Sequence, residues 1–218
     1  KIIKQRLNNT SNVKIKLNTK VTSGNLLDNE VKSIVAYENG IKKTFEFDFI
    51  VNAMYANYNK FCDWFNFKPQ NFQFNLQELD VIKLPGLKKL GITIQDGPFP
   101  SFLPLGNSDK YLLAHVETSQ LIREISFGSI PLSQRLNYLE SNWSNIKGSC
   151  AEFIPAINSA EYIKSIFVDR VVDADRSYDD ARITDLIDYE NGCWGIFAAK
   201  IITSEKTAKE LCKRIQAS

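Results

Sequence analysis

The sequence predicts an α+β fold, a mixed α/β chain in which antiparallel strands dominate. The first observation is the Asn39-Gly40 dipeptide between two strand-like runs, because Asn-Gly supplies the positive φ angles of a two-residue hairpin. The second is a series of longer strand-like runs separated by the short turns Pro85-Gly86 and Gly106-Asn107. The third is the three- and four-residue spacing of apolar side chains in residues 55–66, which indicates an amphipathic helix.

The first third of the chain is predicted to alternate between strands and one helix. After a helix-like opening, Val13 to Leu17 alternates with period two and predicts a strand. Strands at 31–37 and from residue 42 flank the Asn39-Gly40 turn. The second of these becomes continuously apolar at Phe49-Ile50-Val51, which predicts entry into a sheet buried on both faces. The aromatic stripe of helix 55–66 is interpreted as core.

The middle of the chain is predicted to form an antiparallel sheet with helices after it. The predicted strands cover residues 72–83, 88–103, 110–117 and 161–172, and the strand at 88–103 is expected to be interrupted by Gly97-Pro98. The predicted helices cover residues 131–146 and 149–158. Pro131 suits the first turn of a helix, because the missing N–H has no partner there anyway.

The last part of the chain is predicted as two strands and a helix. The polar segment 173–180 is a predicted loop, and strands 181–189 and 193–201 flank the turn Glu190-Asn191-Gly192. Thr203 or Ser204 is a suitable N-cap for a final helix.

Composition argues against several classes of function. The 27 basic and 25 acidic residues leave a net charge of +2, too weak to attract nucleic acid or an anionic membrane. Four cysteines without a C-x-x-C pair argue against a zinc site or a disulfide scaffold and favour a cytoplasmic location. The apolar runs are shorter than the ~20 residues that span a bilayer. Met54 is the only methionine, so we expect a truncated or excised part of a longer reading frame.

Two segments together carry a resemblance to a known family. Asp48-Phe49-Ile50-Val51-Asn52-Ala53 closes the hairpin strand, and residues 191–203 form a strand that leads into the last helix. They resemble the corresponding segments of FAD-dependent oxidoreductases of the D-amino-acid oxidase and glycine oxidase-like family. The resemblance implies an antiparallel-rich mixed sheet of a substrate domain at 67–180. It also implies that 1–66 and 181–218 are remnant strands and the C-terminal helix of a Rossmann-like FAD-binding domain.

The resemblance also carries expectations about function. Complete members of the family begin with G-x-G-x-x-G, which holds the FAD pyrophosphate, and the 218 residues contain no such pattern. The chain is therefore expected to be the substrate-side fragment of an oxidoreductase that acts on a small amine, amino acid or hydroxy acid, and to be inactive alone. The alternative is a non-enzymatic α+β ligand-binding or interaction module.

The resemblance implies cofactor contacts in both of these segments. The candidate FAD-binding residues are Asn52, Ala53, Gly195, Lys200, Ile201 and Thr203. A helix N-terminus offers free amides and a positive dipole to the electron-rich edge of a reduced flavin. A glycine lets the backbone approach the ring closely. A buried strand packed on a helix explains the same residues equally well.

Three further residues are candidates for contact with a small-molecule substrate. Arg182 lies where the family places an arginine near substrate, and its guanidinium can pair with a carboxylate. A surface ion pair with neighbouring aspartates is the alternative. His115, the only histidine, and Tyr111 lie on a strand of the predicted substrate sheet, where they face either a pocket or ordinary core.

The remaining reactive residues point to no further site. Cys193 lies in an apolar strand without an adjacent base and is interpreted as an inert buried thiol. The aspartates of 173–180 lack the pattern of a calcium loop, so no metal site is predicted. No residue is singled out as catalytic. Without the first βαβ unit of the family, strands 13–17 and 49–53 would expose apolar edges, which predicts a homo-oligomer.

Overall fold

The computed structural model describes residues 5–7, 9–27, 31–86, 89–95, 97, 99–176, 184–197 and 200–217. The strands are β1 Thr19–Leu26, β2 Lys32–Glu38, β3 Ile41–Phe47, β4 Ile50–Asn52, β5 Phe72–Lys83, β6 Ile92–Thr93, β7 Pro100–Pro104, β8 Lys110–His115, β9 Gln120–Ser126, β10 Glu161–Asp173, β11 Asp185–Asp188 and β12 Cys193–Phe197. The α-helices are α1 Tyr58–Phe65, α2 Leu132–Arg135, α3 Trp143–Phe153 and α4 Ser204–Ala217, and short 3₁₀ turns occupy Tyr55–Asn57, Pro155–Ser159, Ala174–Arg176 and Ile201–Thr203. The predicted mixed α+β class, rich in antiparallel strands and ending in a helix, is confirmed.

The first sheet is an antiparallel meander of order β1-β2-β3. Its β2–β3 turn has positive φ angles at Asn39 (52°) and Gly40 (83°), so the predicted Asn-Gly hairpin is confirmed. The predicted strand at 13–17 is wrong, because these residues are unpaired and the first strand begins only at Thr19. The alternation of apolar and polar side chains at 13–17 is not enough to form a strand without a partner strand to pair with. Leu17 accordingly stays 69% exposed.

The second sheet has the order β10-β5-β8-β7-β6, and β9 also pairs with β5. β8 and β9 run in the same direction along one edge of β5, and residues 116–119 loop out between them. The predicted strands at 72–83, 110–117 and 161–172 are confirmed within one or two residues. The strand predicted at 88–103 with an interruption at Gly97-Pro98 is divided into the two short strands β6 and β7, which lie before and after that dipeptide, and β9 was not predicted.

The predicted helix at 131–146 is also wrong. Helix α2 ends at Arg135, Leu136 takes an extended conformation (φ −98°, ψ 124°), and α3 begins only at Trp143. The reason is tertiary: the buried carboxylate of Glu78 on β5 accepts hydrogen bonds from the Asn142 N–H (2.7 Å) and the Ser141 hydroxyl (2.5 Å). A carboxylate at this position favours a helix N-terminus there. The helix predicted at 149–158 consequently begins earlier and ends at Phe153.

The third sheet has the order β11-β12-β4, with β4 parallel to β12 and β11 antiparallel to it. The predicted final helix is confirmed as α4, whereas strand 193–201 ends at Phe197 within the described residues. Phe49 and Val51 are 43% and 38% exposed, so the prediction that this strand is buried on both faces is wrong. Within the described part of the chain β4 lies at the edge of its sheet.

One apolar cluster joins the third sheet to the second. It combines Tyr58 of α1, Phe72 and Phe74 of β5, Leu132 of α2 and Phe197 of β12. The proposed boundary between 1–66 with 181–218 and 67–180 therefore remains a prediction, because core residues from both parts pack together.

Candidate functional site

The structure brings two predicted cofactor residues together. Strands β4 and β12 pair in parallel, with Gly195 opposite Asn52, and the exposed Ala53 follows directly. The side chain of Asn52 is buried: its Nδ2 donates to the Tyr58 carbonyl (3.1 Å), and its Oδ1 accepts from the Met54 N–H (3.0 Å). These bonds shape the turn into α1 and account for Asn52 without a ligand. Contact of Asn52 and Ala53 with a cofactor stays a prediction.

The space beside Gly195 is filled by a tyrosine. A Cβ at this position would lie 1.8 Å from the Tyr58 Oη, and Tyr58 is fully buried. The Tyr189 hydroxyl donates to the Tyr58 Oη (3.0 Å) and lies 3.4 Å from the Cys62 Sγ. Burial raises the pKa of both tyrosines and of Cys62 above their ordinary values, so all three are neutral at physiological pH. Because the Tyr58 ring occupies the space beside Gly195, the arrangement there does not fit a flavin.

The other predicted cofactor residues lie at the start of α4. Lys200 is exposed and Ile201 is 91% exposed. The Thr203 Oγ1 bonds with the Thr184 Oγ1 (2.6 Å) and with the Lys200 carbonyl (2.8 Å). Thr184, Thr203 and side chains of α4 line a cavity of about 450 Å³. Thr203 thus borders a concave surface. Contact of Lys200, Ile201 and Thr203 with FAD stays a prediction.

The predicted substrate residues on β8 have structural partners. Tyr111 is 2% exposed and stacks on Phe102 at a centroid distance of 4.3 Å. The Nδ1 of the buried His115 accepts from the Thr118 N–H (3.3 Å), and the His115 N–H donates to the Ser119 Oγ (2.9 Å). These contacts explain both residues as core and turn. Arg182 lies outside the described residues.

The sequence did not reveal a polar row across the second sheet. Asn75 on β5 lies opposite Arg123 of β9 on one side and opposite Arg170 of β10 on the other. Side chains of directly opposed residues share one face of a sheet, so the three form the row Arg123–Asn75–Arg170. The opposite face carries Phe72, Phe74 and Leu76, which pack in the core.

Two hydrogen bonds in series link Arg123 to Asn75 through Gln73. The Arg123 guanidinium donates to the Gln73 Oε1 (2.5 Å), and the Gln73 Nε2 donates to the Asn75 Oδ1 (3.0 Å). Gln73 and Asn75 are 7% and 2% exposed, whereas Arg123 is exposed and Arg170 is half-buried. The positions that register places on this face near the row are Gln73, Gln77, Leu79, Gln120, Ile125, Ile166, Val168 and Val172. None of these sheet positions is acidic, and the exposed Arg123 brings to this face a guanidinium, a group suited to bind a carboxylate.

No local signal could have identified this face. The alternation Phe72-Gln73-Phe74-Asn75-Leu76 indicates only a strand with one polar side. The two arginines lie 47 residues apart in the sequence. Only the registers of β9 and β10 with β5 place them on either side of one asparagine.

Comparison with known proteins supports the fold. No family model matches the chain, and no curated protein matches it. The structure is similar to glycine oxidase from Geobacillus kaustophilus (TM-score 0.61, 13% identity), over 92% of this chain and 48% of that one. It is also similar to iminodiacetate oxidase from Chelativorans sp. BNC1 (TM-score 0.54, 11% identity), over 83% and 42%. The chain thus spans about half the length of these oxidases and shares their fold over that part.

No helix in the described parts of the chain combines the length and apolar character needed to cross a membrane.

Proposed function

We propose that this chain is the substrate-side part of an FAD-dependent oxidoreductase that oxidises a small amine, amino acid or hydroxy acid, and that it is inactive alone. The observation that carries the proposal is the Arg123–Asn75–Arg170 row, which lies on the second sheet of an oxidase-like fold. A guanidinium on a sheet face binds and orients a substrate carboxylate. In the complete protein FAD would supply the redox chemistry, and the residues of this chain would hold the substrate.

The dinucleotide-binding element is proposed to lie outside these 218 residues. The sequence contains no G-x-G-x-x-G, and the Tyr58 ring fills the space beside Gly195. The same two facts favour the second candidate, a ligand-binding module without redox chemistry. Three buried and unpaired cysteines, Cys62, Cys150 and Cys193, support the proposed cytoplasmic location.

Reconstitution with FAD separates the two candidates. We expect the 218-residue chain to lose added FAD on desalting. We expect the protein made with any coding sequence upstream of Lys1 to keep it, and to consume oxygen with small amino acids or amines. Absorbance in the flavin bands and an oxygen electrode measure both results. A complete protein that cannot be loaded with FAD contradicts the oxidoreductase and leaves the binding module.

We also propose that the 218-residue chain self-associates through β4. Phe49 and Val51 are exposed beside an edge strand, and such an edge tends to pair with another chain. Light scattering is expected to give a mass above that of one chain. Val51→Lys is expected to shift it toward the monomer, because a charge on an edge strand opposes pairing.

The control for this prediction is Ile41→Lys on β3, where the side chain is 64% exposed. It adds the same charge away from β4 and is expected to leave the mass unchanged. A monomeric wild-type chain at high concentration, or an equal response to both variants, would argue against pairing through β4.

A further inference from the structure

We infer that Gln73 is the positioning residue that sets the specificity of the proposed carboxylate site. Its neutral amide holds the Arg123 guanidinium in place and leaves the positive charge of Arg123 to the ligand. This inference rests on the proposed function and specifies the substrate class of the same face, a small monocarboxylate with a short aliphatic chain.

Gln73 reaches Arg123 across a strand pair. Asn75 of β5 lies directly opposite Arg123 of β9, and Gln73 lies directly opposite Ile125, so Gln73 and Arg123 are diagonal neighbours on one face. The Arg123 Nη2 donates to the Gln73 Oε1 (2.5 Å). Gln73 is 7% exposed, whereas Arg123 is exposed. A buried amide thus holds a guanidinium that a ligand can reach from solvent.

The chemistry of the two partners fixes the orientation of the Gln73 amide. A guanidinium has only donors, so it must meet the amide oxygen, and the Gln73 Nε2 is left to donate elsewhere. This Nε2 donates to the Oδ1 of the buried Asn75 (3.0 Å). Both ends of the amide are therefore bonded, and its oxygen stays turned toward Arg123. A positioned guanidinium loses less conformational freedom when a ligand binds, which strengthens recognition.

The neutrality of this anchor decides what Arg123 can bind. Within the described residues, no carboxylate lies at ion-pair distance from the Arg123 guanidinium. The Gln73 oxygen accepts one of five guanidinium N–H donors and carries no negative charge. A glutamate at position 73 would fill the same space but would balance the charge of Arg123. The amide therefore positions the guanidinium without competing with an anionic ligand.

The surface beside Arg123 favours an aliphatic chain on that ligand. Ile125 lies two residues along β9 on the same face, and it is 56% exposed. Its apolar surface can cover the alkyl carbons of a ligand whose carboxylate meets the guanidinium. Butyrate combines these two features. Butyramide has nearly the same shape and lacks the charge.

Titration of the ¹⁵N-labelled 218-residue chain with butyrate and with butyramide tests the inference. The Nε–Hε resonance of Arg123, assigned by its loss in Arg123→Lys, reports binding at the guanidinium. The wild-type chain is expected to bind butyrate about tenfold or more tightly than butyramide, because a charge-assisted pair replaces a neutral hydrogen bond. Equal affinities, or no response of this resonance to butyrate, would overturn the inference.

Two variants at position 73 separate specificity from a merely structural role. Gln73→Glu is expected to abolish the preference for butyrate and to leave butyramide binding unchanged. Gln73→Met, which has a similar size and no acceptor for Arg123, is expected to weaken butyrate binding about threefold and to increase the motion of the Arg123 Nε–Hε group. It is expected to keep butyrate ahead of butyramide.

The control is Gln134→Glu on α2. Gln134 is exposed, and α2 packs through Leu132 on the opposite face of the sheet, so the variant adds the same charge away from Arg123. It is expected to keep the full preference for butyrate. An unchanged preference in folded Gln73→Glu, or the same loss in the Glu and Met variants, would contradict the inference. If Gln73→Glu does not fold, unchanged butyrate affinity and unchanged Arg123 motion in Gln73→Met would contradict it alone.

The titration needs no flavin, so its failure is distinguishable from failure of the proposed function. A complete protein that oxidises small amino acids, with a chain that does not prefer butyrate, keeps the proposed function and overturns this inference. A chain that prefers butyrate, in a complete protein that binds no FAD, keeps the carboxylate site and overturns the oxidoreductase.

Discussion

Gly195→Ala is expected to lower the free energy of unfolding by about 3 kcal/mol or more, the upper part of the range for overpacked cores. The added Cβ would lie 1.8 Å from the Tyr58 Oη, 2.7 Å from its Cζ and 3.0 Å from the Tyr189 Cε2. Tyr58 cannot move aside, because its ring is fully buried and packs edge-on against Phe72 and Phe197. Urea denaturation followed by far-ultraviolet circular dichroism measures the loss.

Two variants separate steric overlap from a general effect of replacing glycine. Gly148→Ala on α3 meets no atom within 4 Å and is expected to raise the free energy of unfolding by about 0.5–1 kcal/mol, the helix preference for alanine. Tyr58→Phe removes the atom nearest to the new Cβ, so the double variant Gly195→Ala with Tyr58→Phe should lose less than the sum of the single losses. Strict additivity would mean that Tyr58 is not the obstacle.

This result bears on the cofactor hypothesis as well. A glycine that approaches a flavin and a glycine that makes room for Tyr58 look the same in the sequence Trp194-Gly195-Ile196. If Gly195→Ala lowers the free energy of unfolding as expected, the requirement for glycine belongs to the core. The resemblance to the oxidases then concerns the fold at this position and not a flavin contact.

The sequence was informative where local rules act and misleading where distant partners decide. Asn39-Gly40 and the long run Phe72–Lys83 were predicted well, because turn chemistry and periodicity are local properties. The helix expected at 131–146 was interrupted because Glu78, more than 50 residues earlier in the chain, binds the Asn142 N–H.

The candidate site shows the same limit. Tyr111 and His115 were chosen from one strand, where the structure gives them core and turn contacts. The arginines of the row lie on two other strands, and only the registers of β9 and β10 with β5 bring them to Asn75. Pairing between strands that are distant in the sequence leaves no trace within either strand.

Asp80→Asn is expected to stabilise the protein at pH 8 and to have little effect at pH 4. Asp80 and Glu78 are both fully buried on one face of β5. Burial, followed by the charge of Glu78, raises the pKa of the Asp80 carboxyl to about 7. Its Oδ2 has no hydrogen-bond partner among the described residues, so ionisation would leave a buried charge poorly compensated.

The direction of the pH dependence follows from proton linkage. Below about pH 4 the Asp80 carboxyl is protonated in both the folded and the unfolded chain, so it contributes no pH dependence. Between about pH 4 and 7 the unfolded chain releases this proton while the folded chain retains it. The contribution of Asp80 to stability therefore falls as the pH rises, by up to about 4 kcal/mol, and it is constant above about pH 7. Asparagine has no such proton and can still donate a hydrogen bond toward Glu78.

The measurement is the difference in free energy of unfolding between Asp80→Asn and the wild type, from urea denaturation at several pH values. This difference is expected to rise from near zero at pH 4 to about 3 kcal/mol at pH 8. Asp63→Asn, on the exposed side of α1, serves as the control for the loss of one negative charge. Glu78 holds the start of α3 through Asn142, so relief of the charge on Asp80 should also slow amide exchange at the beginning of that helix. A difference that does not change with pH, or a destabilised variant at pH 8, would show that Asp80 is ionised in the fold and is stabilised there by other groups.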